Sequence, residues 1–435
     1  MEAAAELGPA LADSYEAGAY IARWRDAESA ALLGVGNEFW DATRRRRYEL
    51  GKVERERIGQ LYGKTLNLSA SQIDRQAECR LSYFLKYGLR AKERKEATVD
   101  PAEFGTYVHH VLEHTAREVM ELGGFHVVSQ EETLEIAHKH AESYAAERFR
   151  NLDSERLTYL FRRNGLELDM VVRELWSELS KSEFEPIAFE LNFGEDGQMP
   201  AVPISGSRMQ AQLRGFVDRV DAWCDGFQSF LRVVDYKTGR KDFDYCDVFN
   251  GVGLQLLLYM FALRNSGERI LGEKPVAAGV QYFPARAPYL PADGRLTAEE
   301  AEQLRQAQWK RKGLLLQDAA VLRAMENTES PVRMNYTVKK DGSLSGDLAD
   351  RDQLKLLERF IMHTLANMVE DIVSGNVDPN PYTRGTSHNA CEYCPYSMIC
   401  HKNTVSGRRN YKAMNAQRFW EEIGEEMNHG SRKID

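Results

Sequence analysis

The hydrophobic pattern divides the chain into a helical first part, a strand-rich centre and a largely helical last part. Residues 1–68 and most of 69–182 carry apolar positions every three to four residues, which predicts amphipathic helices. From residue 184 the period changes to two, as in a half-buried strand: Ile187, Phe189, Leu191 and Phe193 alternate with Ala188, Glu190 and Asn192. Further strand-like runs lie at 213–223, 230–239 and 277–283. The pattern predicts an α/β fold with helices packed on a sheet.

Two helices in the first half have well-marked starts. Ser69 and Gln72 have the spacing of a capping box, and the helix that follows is predicted to run through Cys79 to about residue 87. The second helix starts at Pro101, because proline suits the first helical position, and it carries the sequence GTYVHHVLEH. His109 lies four residues before a glutamate, so both side chains share one helix face.

The second half is predicted to combine a hairpin with two further helices. The runs 213–223 and 230–239 are separated by the turn-like sequence CDGFQS and therefore predict an antiparallel hairpin. The segment 253–264 is predicted to be a compact, mostly apolar helix. A long helix is predicted from about residue 350 to 374, after a polar stretch.

Composition and charge restrict the class of protein. The chain has 435 residues, of which 43% are hydrophobic and 28% charged, as in soluble globular proteins with two to four folding units. No run approaches the roughly 18 apolar residues of a membrane span, and the first ten residues lack the basic start of a secretory signal. We therefore expect a cytoplasmic protein. The net charge of −9 means that any nucleic-acid binding must depend on local basic patches.

The predicted hairpin carries the residues with the clearest chemical potential. Residues two apart on a strand point to the same side, so Asp235 and Lys237 of VVDYKTG project together. Asp218 of GFVDRVD lies on the partner strand, where cross-strand neighbours approach each other. Two carboxylates could share one Mg²⁺, which polarises a phosphoryl oxygen and lowers the pKa of a bound water. Taken alone, the aspartate–lysine pair also fits a surface ion pair at a strand end.

Three of the six cysteines crowd together near the end of the chain. Cys391, Cys394 and Cys400 have the spacing C-x-x-C-x5-C, which supplies three thiolates for a metal centre and leaves one ligand missing. Spacing alone does not choose between zinc and an iron–sulfur cluster. Cys224 and Cys246 are interpreted as buried thiols without a ligand role.

The order of these motifs resembles the RecB-nuclease branch of the PD-(D/E)xK superfamily. The succession G-x-x-x-H, Glu190, GFVDRVD, VVDYKTG and QLLLY follows the arrangement of that branch. The resemblance implies a mixed central sheet flanked by helices over residues 69–403. It also implies a helical N-terminal segment at 1–68, left from a preceding helicase-like region, and a charged tail at 404–435.

The resemblance assigns roles to individual residues. It implies that His109, Asp218, Asp235 and the backbone carbonyl of Tyr236 bind Mg²⁺ or Mn²⁺. Lys237 corresponds to the catalytic lysine, and Gln255 and Tyr259 correspond to residues that support the site from the next helix. His110 is the neighbouring alternative to His109, but the distance from Gly105 favours His109.

The cysteines also match iron–sulfur nucleases of this branch, in which one early and three late cysteines hold a [4Fe–4S] cluster. Cys79 would be the early ligand, so the cluster would join the two ends of the domain as a staple. The segments around it resemble the C-terminal nuclease part of the AddB-type helicase/deoxyribonuclease subunits. One departure is Arg80, where that family commonly has proline.

The resemblance implies a partner and a substrate. The chain has no G-x-x-x-x-G-K-[ST] motif, so it is not expected to be a motor, and an ATP-driven AddA-type subunit would supply the helicase. The pair would resect double-strand DNA ends for recombinational repair. A single strand could bind basic patches in which stacking and phosphate neutralisation act together: Trp309, Lys310, Arg311, Lys312, Arg240 and Lys241.

Two other functions remain open from the sequence. The first is a catalytically idle iron–sulfur module that binds DNA ends, which the intact Asp218, Asp235 and Lys237 disfavour. The second is a stand-alone exonuclease of the CRISPR-adaptation type, which the additional N-terminal segment and the length disfavour.

Overall fold

The computed structural model describes most of the chain from residue 52 onward. The described residues are 52–92, 101–148, 155–194, 196–205, 209–289, 295–328, 331–385, 388–397, 399–400 and 408–429. Residues 1–51, which make up most of the predicted N-terminal segment, lie outside them.

Strands and helices alternate along the described chain. The strands are β1 Thr65–Leu68, β2 Glu185–Phe193, β3 Val202–Ile204, β4 Gln210–Leu213, β5 Gly215–Cys224, β6 Ser229–Lys237, β7 Val276–Pro284, β8 Lys312–Leu316, β9 Tyr336–Val338, β10 Leu344–Gly346, β11 Leu348–Ala349, β12 Tyr382–Arg384, β13 His388–Asn389 and β14 Arg409–Asn410. The helices are α1 Arg55–Tyr62, α2 Ala70–Glu78, α3 Arg80–Tyr83, α4 Pro101–Glu121, α5 Gln130–Arg148, α6 Glu155–Leu179, α7 Tyr245–Phe249, α8 Gln255–Ser266, α9 Glu268–Leu271, α10 Ala298–Trp309, α11 Ala319–Met325, α12 Arg351–Val373 and α13 Ala416–His429. None of these described helices has both the length and the apolar character needed to cross a bilayer.

The largest sheet has the strand order β11-β8-β7-β6-β5-β2 and is mixed. Strands β2, β5 and β6 form an antiparallel meander, and β7 then pairs with β6 in parallel. Strand β6 lies in the middle and is buried along its whole length except at Lys237. Helices α8 and α12 pack on one face, while α4, α5 and α6 cover the other. The predicted mixed sheet flanked by helices is confirmed.

The capping box predicted at Ser69 is present at the start of α2. The Ser69 hydroxyl accepts from the Gln72 amide, and the Gln72 side chain accepts from the Ser69 amide at 2.7 Å. Helix α2 is shorter than predicted because Cys79 has extended backbone, with φ −167° and ψ 122°. The chain resumes as α3 and then a π-helical turn at Phe84–Gly88. Cys79 therefore sits at a break in the helix.

Four local predictions are wrong. Cys224, interpreted from the sequence as buried, is exposed at the end of β5, whereas Cys246 is buried. Residues 65–68, predicted as part of a helical segment, form β1, which pairs in parallel with β4. The predicted charged tail contains α13, whose Phe419 and Ile423 are fully buried against the core that α12 also lines. Ile187 is exposed, because the register of β2 against β5 shifts between Pro186 and Ala188 and breaks the alternation.

Charged side chains lie buried on the α6 face of the sheet. Four guanidinium groups and four carboxylates form this buried ion cluster: Arg219, Arg232, Arg311, Arg333, Glu174, Glu178, Asp221 and Glu326. Glu178 is its centre, with carboxylate oxygens 2.9 Å from Arg219, 3.3 Å from Arg232 and 2.7 Å from Arg311. These guanidinium groups hold the pKa of Glu178 well below its usual range despite the opposing effect of its burial.

Candidate active site

An acidic centre forms where β5 and β6 meet the middle of α4. His109 points from α4 to both strands: its Nε2 donates to the carbonyl oxygen of Tyr236 at 2.8 Å, and its Nδ1 lies 3.4 Å from Asp218 Oδ2. The same Asp218 oxygen accepts from the Tyr236 amide at 2.7 Å. The structure therefore brings together His109, Asp218 and the Tyr236 carbonyl.

The aspartate–lysine pair projects from the end of β6 as the strand period predicts. Lys237 Nζ lies 2.5 Å from Asp235 Oδ2. The Asp235 side chain is 5% exposed and the Lys237 side chain 32%, so the carboxylate is enclosed while the amine reaches the solvent side. A surface ion pair at a strand end does not describe this arrangement, because its carboxylate is buried.

Glu190 of β2 joins this centre through an unusual backbone conformation. Its φ is +45°, in the left-handed region that side chains other than glycine rarely adopt. The register pairs Phe189 with Arg219 and Leu191 with Val217, so Glu190 lies opposite Asp218. Ligand atoms of His109, Glu190 and Asp218 all lie within 4.8 Å of one another. Glu190 is therefore a further candidate metal ligand.

The carboxylates raise one another's pKa values. Burial is the largest cause for Asp218, whose pKa rises to about 6, and the nearby Asp235 adds to it. The pKa of Glu190 rises to about 7, again mainly through burial and then through Asp218, with smaller effects from Glu113 and Asp235. His109 and Lys237 lower the pKa of Asp218 but do not cancel the rise, and a divalent cation would stabilise the ionised carboxylates further.

The donor set fits a hard divalent cation. Carboxylate and carbonyl oxygens are the ligands that Mg²⁺ and Mn²⁺ prefer, and an imidazole suits Mn²⁺ as well. Adjacent ligands on an octahedral ion with bonds of about 2.1 Å lie about 3 Å apart. The 2.8 Å between His109 Nε2 and the Tyr236 carbonyl is close to that separation.

The helix after the hairpin places Tyr259 against the site. Its hydroxyl oxygen would clash with a Cβ added at Gly215, so only glycine fits at the start of β5. Burial raises the pKa of Tyr259, and the nearby Asp235 and Asp218 raise it further. Gln255 is half-buried at the first residue of α8, and its supporting role stays a prediction.

Asp74 of α2 is a site residue that the sequence analysis missed. Its carboxylate accepts from the Gly253 amide at 2.8 Å, just before α8 begins. Burial raises the pKa of Asp74 to about 6, whereas the Gly253 amide and the ammonium groups of Lys241 and Lys237 lower it. Asp74 thus joins α2 to the loop that precedes α8, and no periodicity distinguishes it from an exposed helical aspartate.

A basic groove adjoins the acidic centre. Its volume is about 530 Å³, and its lining includes these cationic residues: Lys237, Arg240, Lys241, Arg286, Lys310 and Lys312. Tyr289 also lines the groove and is 79% exposed. The predicted DNA-binding residues Arg240, Lys241, Lys310 and Lys312 therefore share one surface, to which the structure adds Arg286 and Tyr289.

Two of the predicted DNA-binding residues do not fit that role. Trp309 is 8% exposed and packs in the core beside α4 and α6, so its ring cannot stack on a base. Arg311 is 1% exposed and is paired with Glu174 and Glu178 in the buried ion cluster. The sequence WKRK predicts a solvent-exposed basic surface, but its alternate residues Trp309 and Arg311 point into the core.

The four predicted cluster ligands line one small pocket. Cys79, at the break after α2, meets Cys391, Cys394 and Cys400 there. Burial raises the pKa of Cys400 to about 11, and the other three thiols contribute to the rise. Among the described residues, only His109, Glu190 and Asp218 bring three metal-ligating atoms within 4.8 Å of one another, so the thiols are more widely spaced. We call this site the cysteine pocket.

Ion pairs join the surroundings of the cysteine pocket to helices that pack against the largest sheet and its neighbours. Arg80 pairs with Asp371 of α12 at 2.6 Å. His388 lies 3.4 Å from Glu78 and 3.7 Å from Asp247 of α7, and these carboxylates raise the pKa of His388 to about 9. The pocket is therefore attached to α2, α7 and α12.

Comparison with known proteins finds relatives that share one name. The chain is 33% identical over 374 residues to the B subunit of the ATP-dependent helicase/deoxyribonuclease of Acetivibrio thermocellus, a match that covers 83% of this chain and 32% of that protein. It is 33% identical over 392 residues to the protein of the same name from Moorella thermoacetica, covering 87% and 33%. The Clostridium tetani protein of this name is 30% identical over 374 residues, covering 83% and 32%. The chain thus spans about a third of the length of these relatives.

A family model covers most of the chain. The model of the PD-(D/E)XK nuclease superfamily matches residues 67–401, which include the acidic centre and the cysteine pocket. The match agrees with the mixed sheet flanked by helices. The chain belongs to the PD-(D/E)XK nuclease superfamily.

Proposed function

We propose that the chain is a Mg²⁺-dependent DNA exonuclease domain. The observation that carries the proposal is the convergence of His109, Asp218 and the Tyr236 carbonyl, with the Asp235–Lys237 pair near enough to act electrostatically on Asp218. Glu190 completes an acidic centre whose carboxylates need a cation. The basic groove beside it has the charge that a phosphate backbone requires.

Each side chain has a distinct role in the proposed hydrolysis. His109, Asp218, Asp235 and the Tyr236 carbonyl would hold Mg²⁺, which supplies an activated water and polarises the scissile phosphate. Asp235 keeps the Lys237 amine at 2.5 Å, where the amine orients the attacking water and neutralises charge in the transition state. Tyr259 packs on Gly215 and holds the start of β5 in place.

The partner follows from the names of the relatives. Proteins named as the B subunit of an ATP-dependent helicase/deoxyribonuclease are similar to this chain over about a third of their length. This chain has no P-loop sequence, so the ATP-driven motor that moves the DNA would lie outside it. We propose that it works as the nuclease part of a heterodimer with an AddA-type subunit, and that the pair resects double-strand ends in the cytoplasm.

The cysteine pocket is proposed to hold a [4Fe–4S] cluster. In a tetrahedral zinc site with Zn–S bonds of about 2.3 Å, sulfur atoms lie about 3.8 Å apart. No three of the described thiols lie within 4.8 Å of one another, which is wider than such a zinc site requires and supports the cluster as the group they would hold. Its role would be structural, because it joins Cys79 to residues more than 300 positions later.

Metal dependence tests the proposed nuclease. The purified chain should degrade labelled single-stranded DNA with Mg²⁺ or Mn²⁺, lose this activity when EDTA is added, and regain it when the metal is returned in excess. Gel analysis of 5′- and 3′-labelled strands measures the reaction and shows whether cleavage starts at an end. Cleavage that persists in EDTA would contradict the metal site, and DNA binding without cleavage in either metal would favour the idle module.

Anaerobic purification tests the cluster. The protein is expected to be brown, with about four iron and four sulfide per chain. Changing Cys79 to Ser should remove the colour and lower the thermal midpoint, whereas Cys224→Ser, at an exposed thiol outside the pocket, should change neither. A colourless protein containing one zinc per chain would contradict the proposal.

A further inference from the structure

An exposed phenylalanine stands at the rim of the acidic centre. Phe216 of β5 is 53% exposed, although it lies in the largest sheet and only two residues before Asp218. At about 3.3 Å per strand residue, these positions are about 7 Å apart. The exposed ring does not contribute to the stability of the fold, because an apolar side chain stabilises a protein when it is buried.

The strand geometry directs Phe216 to the open side of the site. Gly215 faces the Tyr259 hydroxyl, and Val217 packs in the core that α8 lines. Phe216 then points to the opposite face, which α4 covers and from which His109 reaches Asp218. In the neighbouring strand, Asn192 pairs with Phe216, and Glu190 lies two residues before Asn192.

The charges around the site identify what could cover the ring. Carboxylates repel phosphate groups, so a DNA strand must be bound by the cations of the basic groove, which begins at Lys237. The part of a nucleotide that suits a flat apolar surface is its base, and bases stack on aromatic side chains whatever their sequence. The groove is lined by residues of β7 and β8, on one side of β6, whereas Phe216 lies on β5, on the other side. A DNA strand held in the groove would therefore cross the acidic centre to reach Phe216, which offers a nucleobase contact there.

We propose that Phe216 stacks on the base of the nucleotide next to the scissile phosphate and so selects an unpaired strand. This inference rests on the proposed nuclease function and adds the substrate subsite. In a duplex, the faces of a base are covered by its neighbours, so stacking on Phe216 needs a strand whose bases are free. The contact holds the nucleotide while the residues of the acidic centre act on its phosphate.

Kinetics on single-stranded DNA test the subsite. Phe216→Ala is expected to raise KM about tenfold, the loss of one base-stacking contact, and Phe216→Trp should restore it because the ring is what matters. The matched control is Phe227→Ala, which removes a 94% exposed ring from the turn at the far end of the same hairpin. It should leave KM unchanged.

Strands with abasic nucleotides at the cleaved end distinguish stacking from a structural effect. On these abasic strands, the kcat/KM of the wild-type protein should fall to the value that Phe216→Ala has on normal strands. The kcat/KM of Phe216→Ala should be the same on both kinds of strand. Equal losses for both proteins, or unchanged kinetics of Phe216→Ala on normal strands, would overturn the inference.

Direct binding separates this inference from the proposed function. Fluorescence anisotropy of a labelled oligothymidine measures the affinity in EDTA, where no cleavage is expected. If the wild-type protein cleaves nothing but Phe216→Ala still binds about tenfold more weakly, the nuclease proposal fails and the stacking site stands. If the protein cleaves DNA and Phe216→Ala binds equally well, only the stacking site fails.

Discussion

Replacing Asp235 with Asn is expected to lower the rate of metal-dependent DNA cleavage about a thousandfold, which corresponds to about 4 kcal/mol of transition-state stabilisation. Asp235 supplies a negative charge for the cation and holds the Lys237 amine at 2.5 Å. Asparagine keeps the shape of the side chain but loses the charge, so both the cation and the lysine lose their partner. The rate should be measured with Mg²⁺ on labelled single-stranded DNA.

The same substitution is not expected to destabilise the fold. Asp235 raises the pKa values of Asp218 and Glu190, which shows that the carboxylates oppose one another. Removing one charge relieves this repulsion, so the thermal midpoint in EDTA should stay equal or rise. The iron content should also be retained, because the cysteine pocket contains no residue of β6.

Asp352→Asn is the control for this experiment. Asp352 is on α12, its side chain is 90% exposed, and it pairs with Lys355. Its removal should leave the cleavage rate unchanged. Full activity of Asp235→Asn would refute the proposed acidic centre, and a lost fold in this variant would make Lys237→Met, which keeps all proposed ligands, the deciding measurement.

Replacing Glu178 with Gln should cost about 3–5 kcal/mol of unfolding free energy, because three buried guanidinium groups would lose a shared carboxylate. Arg219, Arg232 and Arg311 are each at most 1% exposed, so water cannot replace the lost partner. Denaturation in urea, followed by circular dichroism, would show this as a lower midpoint at an unchanged slope.

The Glu178→Gln substitution should also disturb the position of Tyr236 in the active site. Arg219 donates to the Tyr236 hydroxyl at 3.3 Å, and the Tyr236 backbone contacts both His109 and Asp218. Glu185→Gln, at an exposed position at the start of β2, is the control and should leave the midpoint unchanged. An unchanged midpoint for Glu178→Gln would mean that the remaining carboxylates satisfy all the guanidinium groups.

The parts of the site that follow from strand periodicity can be predicted from the sequence. A period of two fixes Asp235 and Lys237 on one side, and the short turn fixes the antiparallel pairing that brings Asp218 to them. The capping box at Ser69 is equally predictable, because both of its hydrogen bonds are local.

Long-range packing accounts for what the sequence does not show. A basic residue in a strand or loop has the same local pattern whether it is solvated or paired, so the burial of Arg311 depends on a glutamate 133 residues away. The left-handed backbone of Glu190 and the shifted register at Ile187 depend on the pairing with β5. Asp74 contacts a loop 179 residues later, which no periodicity reveals.

The wide separation of the four cysteines in the sequence also determines the order of events during protein synthesis. Cys79 leaves the ribosome more than 300 residues before Cys391, which at 5–20 residues per second is a delay of roughly 15 to 60 s. Strand β1 likewise cannot pair until β4, its parallel neighbour, has been synthesised. During synthesis, the early thiol must therefore stay free of other partners, and loading of the proposed cluster would be one of the last events in maturation.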